Sequence, residues 1–212
     1  MFSQKIGHAT HPANSTETRC RTRAGAQITH MSPHLPASVP KVISYPYFCN
    51  LSSDAMAINH GKSRQKKRRY LRKFFEMIVE PYCATFDHMI FTDGSYRHHI
   101  GAGGAGIFFA LKDPRNCSIA LPTAKSTCDV EAMAIIHALN MCDPKASVAI
   151  CTDSQNVIQA VKSGYAANKC IQSLQDVITQ RPGYTELVKV PAHGGLLGNA
   201  MADKLAREGS RR

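Results

Sequence analysis

Four carboxylates border or interrupt apolar runs of this chain: Asp93 in MIFTDGS, Glu131 in DVEAMAIIHAL, Asp153 in VAICTDSQ and Asp203 in GNAMADKLA. An ionised group in such a setting costs several kcal/mol to bury unless a cation or hydrogen bonds compensate it. Asp93 and Asp153 each close a strand-like stretch and are followed by small polar residues, and strand ends are where open α/β sheets place their sites. Hard divalent ions such as Mg²⁺ take oxygen ligands. A pair of such ions about 3.5–4 Å apart can activate an attacking water and stabilise a leaving oxygen, so four converging acids suit two-metal phosphodiester chemistry. His193, in VPAHGGLLGNAMAD, adds a group able to move a proton or assist product release. Gly194, Gly195 and Gly198 make the segment behind it flexible, with Asn199 as the expected N-cap of a helix carrying Asp203 about one turn in.

The elements that must position these groups read as α/β from His88 onward. MIFTDGS is expected as strand one, GAGIFFAL as strand two and CSIAL as strand three, with Gly101, Gly103 and Gly104 letting the first hairpin bend and approach a backbone. A helix from about Cys128 to Met141 turns Val130, Ala134, Ile135 and Leu139 to the sheet and carries Glu131 near its start. SVAICT is strand four, QNVIQAVKSG a helix closed by Gly164, and Lys169 to Gln180 a further helix ending before Pro182. TELVKVPA is strand five, and Ala200 to Glu208 the last helix. Strands first in succession and then alternating with helices imply a mixed sheet.

At these residues the chain resembles type 1 ribonuclease H, the family that cuts the RNA strand of RNA–DNA hybrids. The resemblance covers roughly Asp87 to Gly209 and rests on TDGS with the following GAGGAG, the helix glutamate, TDSQ, and the HGGLLGNAMAD stretch. It implies an RNase H-like fold with a five-stranded mixed sheet of order 3-2-1-4-5 flanked by helices. It also implies two Mg²⁺ ions, or Mn²⁺, held by Asp93, Glu131, Asp153 and Asp203, with His193 as the loop histidine. The implied reaction is endonucleolytic hydrolysis of an RNA–DNA hybrid leaving 5′-phosphate and 3′-hydroxyl ends, and no obligate protein partner is evident. Substrate contacts are implied for Gly94, Ser95, Ser126, Thr127 and Gln155. A related exonuclease group usually carries a second acid two residues after the first; here that residue is Ser95.

The departures fall on substrate recognition. Where hybrid-cleaving relatives usually place asparagines before the helix glutamate, this chain reads Ser126-Thr127-Cys128-Asp129. Thr127 keeps a hydroxyl that can bond a 2′-OH, whereas Cys128 is a poor substitute for an amide. The chain has no Trp, so the aromatic platform many relatives set under the DNA strand is missing, as is a lysine-rich insertion after the second helix.

Each residue also has an ordinary structural reading. Asp153 with Ser154 suits an N-cap, Glu131 answers a helix dipole, Asp203 pairs with Lys204 or Arg207 on a surface, and His193 is a polar loop residue. The joint order of the five favours shared metal chemistry. Two functions from different classes follow: a hybrid-cleaving endonuclease, and a noncatalytic nucleic-acid-binding protein that keeps the fold. Retention of every acid favours the first, because a carboxylate cluster without metal repels itself.

Charge is uneven. Residues 1–85 hold 13 Lys/Arg against 4 Asp/Glu, and residues 86–212 hold 13 against 11, so most of the net +11 lies outside the expected 86–212 catalytic domain. Residues 1–61 mix Ser, Thr, Pro and His without periodicity and read as a disordered or weakly ordered extension containing the apolar patch VISYPYF. Residues 62–85 read as a basic amphipathic helix or linker ended by Pro81, with Lys66, Lys67, Arg68 and Arg69 as candidate phosphate contacts and a solvated helix face as the plain alternative. KSRQKKRR suits nuclear import, while an acid-poor N-terminus also suits mitochondrial transit; the nucleus is the favoured reading, with mitochondrion and cytoplasm the alternatives. The eight cysteines show no CxxC pair or zinc-finger spacing, and several, including Cys151 and Cys170, fall in apolar patterns and read as buried reduced thiols. No stretch approaches the roughly 18–20 apolar residues of a membrane span.

Overall fold

The computed structural model describes residues 64–212 except 167, 193 and 194, so the N-terminal extension and its VISYPYF patch lie outside the described residues. Five strands form one sheet: β1 (His88–Arg97), β2 (Ala102–Phe108), β3 (Cys117–Leu121), β4 (Val148–Thr152) and β5 (Thr185–Lys189). Their order is β3-β2-β1-β4-β5, as the resemblance implied. The β1–β2 and β2–β3 pairs are antiparallel, and the β1–β4 and β4–β5 pairs are parallel. Hairpins make the first half; helical crossovers, which parallel pairing requires, make the second.

The pleat sends alternate residues to opposite faces. Ile90, Ile107, Ile150 and Leu187 face a core shared with Ile135 and Leu139 of α3 (Thr127–Asn140), Val157 and Ile158 of α4 (Gln155–Ser163), and Ile171, Leu174 and Ile178 of α5 (Lys169–Gln180). Their neighbours Phe91, Phe108, Cys151 and Val188 face a second core with Ala202 of α6 (Leu197–Gly209). The bounds of β3, α4 and α5 agree with the sequence reading, and Gly164 closes α4 at φ 68°, a left-handed conformation that glycine adopts freely.

The second core also takes in the basic segment. A helix runs through α1 (Arg64–Phe74), a π turn (Phe75–Val79) and α2 (Glu80–Cys83), so Pro81 does not end it. Proline in a regular α-helix clashes with the carbonyl four residues back and lacks the N–H to bond it. Here the wider π turn, in which the Glu80 N–H reaches back to the Phe75 carbonyl, precedes Pro81 and makes room for it. Phe75, Val79 and Cys83 are buried against the sheet, and the Phe75 ring lies 5.9 Å from that of Phe91. Tyr82 Oη donates to Glu186 Oε2 at 2.6 Å, and Tyr184 Oη donates to the same oxygen at 3.3 Å. Burial pushes the Glu186 carboxyl up to about 7, with the two tyrosine hydrogen bonds pulling the other way. The segment is thus fastened at its C-terminal half, while Lys66, Arg68 and Arg69 are exposed on the other.

The glycines of GAGGAG divide between the two roles expected of them, bending the hairpin and approaching a backbone. Gly101, at φ 65°, is at the bend, but Gly103, Gly104 and Gly106 lie within β2. A Cβ on Gly104 would overlap the backbone at Ala206 and Ser210, and one on Gly106 the backbone at Ala202 and Ala206. These glycines let α6 lie directly on the strand, and α6 is the element that carries Asp203.

Candidate metal centre

Asp93 does not end its strand, as β1 continues to Arg97; what ends beside it is the β1–β4 ladder, whose last pair is Thr92 with Thr152. Asp93 and Asp153 are therefore equivalent positions just past that ladder, on adjacent strands. Glu131 approaches from α3, which packs so closely over β1 that a Cβ on Gly94 would lie 2.6 Å from the Glu131 amide nitrogen. Gly94 is thus a packing requirement as well as a neighbour of the site. One carboxylate oxygen from each of Asp93, Glu131 and Asp153 can be chosen so that all lie within 4.8 Å of one another.

The electrostatics follow from that crowding. Burial, then the charges of Asp153 and Asp203, push the Asp93 carboxyl from its ordinary 3.8 up to about 7, although the Gly94 N–H donates to Asp93 Oδ1 at 2.8 Å. Burial, then Asp93 and Asp153, push Glu131 up to about 9, with the Gly94 N–H and then the Lys189 ammonium acting in the opposite sense. Glu131 Oε2 is buried without a hydrogen-bond partner. An oxygen-only donor set, mutually repelling and with an unpartnered oxygen, fits a hard divalent cation, which would supply the missing positive charge.

Asp203 is placed beside Asp93 and raises its pKa, but stands outside the tight group of three. Its Oδ1 accepts from Arg207 Nε at 2.9 Å, the surface pairing that the sequence also allowed. His193 lies outside the described residues; Val190 and Leu196, near either end of its loop, are buried in the second core.

Two residues fix Asp153. Asn199 Nδ2 donates to Asp153 Oδ2 at 3.3 Å, and Lys189 Nζ donates to the Asp153 carbonyl oxygen. Asn199 is not the N-cap expected of it: α6 begins at Leu197, Asn199 is buried inside its first turn, and its amide is directed to the acid. Lys189 is not singled out by the sequence, where it falls within the expected strand five.

The proposed substrate contacts surround the same end of the sheet. Ser126 caps α3 by accepting from the Asp129 N–H at 3.1 Å, while Thr127, next in the helix, is exposed. Asp129 Oδ2 accepts from the Lys125 N–H at 2.9 Å and Oδ1 from Asn168 Nδ2 at 2.9 Å, so it ties the start of α3 to the start of α5. Cys128 is half-buried, and burial, with Asp129 and Glu131 nearby, pushes its thiol up. Ser95 Oγ lies 3.3 Å from Ser210 Oγ, and Gln155 opens α4. Of the basic quartet, Lys66, Arg68 and Arg69 are exposed along α1, with Lys67 in the same helix.

A family model described as RNase H matches residues 86–211. No curated protein matches the chain significantly.

Proposed function

The chain belongs to the RNase H family, and on that premise we propose that it is a metal-dependent endonuclease hydrolysing the RNA strand of RNA–DNA hybrids with two Mg²⁺ ions, Mn²⁺ being the alternative. The observation that carries the reading is the group Asp93, Glu131 and Asp153, gathered within 4.8 Å in the domain the family model matches. Family membership implies a nucleic-acid substrate and ribonuclease-type hydrolysis; the hybrid, the metal and the division of labour below are the proposal.

Asp93, Glu131 and Asp153 would hold the ions, with Asp203 joining them on release from Arg207. When bound, the ions supply an activated water and stabilise the leaving oxygen. The Gly94 N–H orients the Asp93 carboxylate, and Asn199 orients that of Asp153, so the ligands need little rearrangement. His193 moves a proton to the leaving group or helps release product. Thr127 bonds a 2′-hydroxyl, the group that distinguishes RNA from DNA, and the Ser126 hydroxyl keeps a proton to donate while it caps α3. Gly94 and Ser95 bring backbone and hydroxyl to the backbone of the strand being cut, and Gln155 stands at the helix start beyond Asp153. Lys66, Lys67, Arg68 and Arg69 draw in phosphates outside the site.

Labelled RNA–DNA hybrid, RNA–RNA duplex and single strands, each incubated with Mg²⁺, Mn²⁺ or EDTA, test this directly. Cleavage is expected of the RNA in the hybrid alone, only with metal, and not by Asp93→Asn or Asp153→Asn. Wild-type rates from either variant in Mg²⁺ would defeat the metal assignment, and failure to cut the hybrid would favour the noncatalytic binding reading.

A further inference from the structure

We infer that Lys189 is a built-in counter-charge of the acidic site: tethered to Asp153, it holds the cluster together before metal arrives and sets how tightly the cluster binds divalent ions. The inference rests on the metal-centre reading above. Lys189 is the last residue of β5, paired with Thr152 in the parallel β4–β5 ladder, and therefore lies one strand over from the point where Asp153 leaves the sheet. Its Nζ donates to the Asp153 carbonyl oxygen, and the side chain is only half-buried. The neighbouring Val190 N–H bonds the Thr152 carbonyl at 3.0 Å, so the strand ends are joined on both sides of the lysine. From this anchor the ammonium acts on Glu131 across the site.

An ammonium in that place has two opposite consequences. Without metal it offsets part of the repulsion among Asp93, Glu131 and Asp153, whose oxygens lie within 4.8 Å of one another. With metal it is a like charge beside the ion and weakens binding. A divalent ion interacts with the lysine twice as strongly as does a proton competing for the same carboxylates, so removal of the charge tightens metal binding overall. A lysine serving only to brace the backbone would do the reverse: its loss would loosen Asp153 and weaken binding.

Calorimetric titration of the full chain with Mg²⁺ and with Mn²⁺ at pH 8.5, without nucleic acid, separates these cases. Lys189→Met removes both tether and charge, Lys189→Gln keeps an N–H donor on a side chain one bond shorter but removes the charge, and Lys189→Arg keeps both. The Met and Gln variants are expected to bind metal on the order of threefold to tenfold more tightly than wild type, and Arg within about twofold of it. Thermal unfolding provides a second reading: the Met and Gln variants should melt lower than wild type in EDTA, with the gap narrowing as metal is added. Unchanged or weaker binding by both uncharged variants, or an Arg variant as tight as Met, would overturn the inference. Wild-type protein that binds neither ion would overturn the metal-centre reading itself, which distinguishes the two failures.

Discussion

Replacing Asp93 with asparagine should stabilise the metal-free protein at neutral and alkaline pH while removing its activity. In the folded chain the carboxyl is pushed from 3.8 to about 7, by burial first and then by Asp153 and Asp203. A folded-state pKa above the unfolded value means that the folded state holds the proton more tightly. The resulting penalty is small below pH 4, grows through the interval in which only the unfolded chain has ionised, and levels off above about pH 7. Each pH unit in that interval contributes about 1.4 kcal/mol, giving a ceiling of about 4 kcal/mol, and coupling among the acids will reduce it to on the order of 2–3 kcal/mol. Asparagine removes the charge and retains an oxygen for the Gly94 N–H that now reaches Oδ1 at 2.8 Å. Urea unfolding in EDTA at pH 4 and pH 8 reads the effect: the two proteins should nearly coincide at the lower pH and separate, variant above wild type, at the higher. Saturating Mg²⁺ at pH 8 should then raise wild type more than the variant. A stability difference that stays constant between pH 4 and pH 8 would refute the claim that charge repulsion in this cluster destabilises the metal-free fold.

His193→Ala is expected to slow turnover by about 10²-fold without abolishing metal binding, and unchanged kcat under saturating hybrid would return that residue to an ordinary loop role. Exchange of Lys66, Lys67, Arg68 and Arg69 for glutamine should raise KM and reduce the salt slope of binding by about 0.9 for each duplex phosphate no longer neutralised, with kcat unchanged; an unaltered KM and slope would leave the run as a solvated face or an import signal. Gly106→Ala should cost on the order of 3 kcal/mol in urea unfolding, because its methyl group would meet the α6 backbone, which yields less readily than a side chain. Deletion of residues 1–85, leaving only what the family model covers, would expose Phe91, Val188, Val190 and Leu196 and should yield an aggregating or strongly destabilised product; a well-folded monomer of wild-type melting temperature would show the helix to be dispensable.

That Asp93, Glu131 and Asp153 would gather was legible in the sequence because a carboxylate beside an apolar run is conspicuous against its neighbours, and the helices 155–163 and 169–180 because punctuation and periodicity agreed there. Residues whose meaning depends on a distant partner were not. Asn199 has the residue type and position of an N-cap, yet the helix starts two residues earlier and its amide reaches Asp153, 46 residues away in sequence. Lys189 is one residue of an expected strand until the parallel ladder sets it beside Thr152. The β2 glycines announced a bend or a close backbone approach, but that the backbone is that of α6 depends on a partner distant in sequence. Pro81 is a reliable helix stop in a regular α-helix, and the π turn that accommodates it left no pattern in the apolar spacing.

The seating of α6 on β2 limits how Asp203 can be recruited. With the Gly104 and Gly106 positions filled by helix backbone, α6 has no room to move closer to the sheet. On the proposed two-metal reading, recruitment would therefore come from the side chain, which already hydrogen-bonds Asp93 and would exchange Arg207 for the ion. That ion pair is partly solvent-exposed on both sides, and such pairs contribute at most about 1 kcal/mol. On that reading the proposed fourth ligand is held in reserve behind a shallow threshold, on a helix seated against the sheet, so that occupancy of the site would change with little displacement elsewhere.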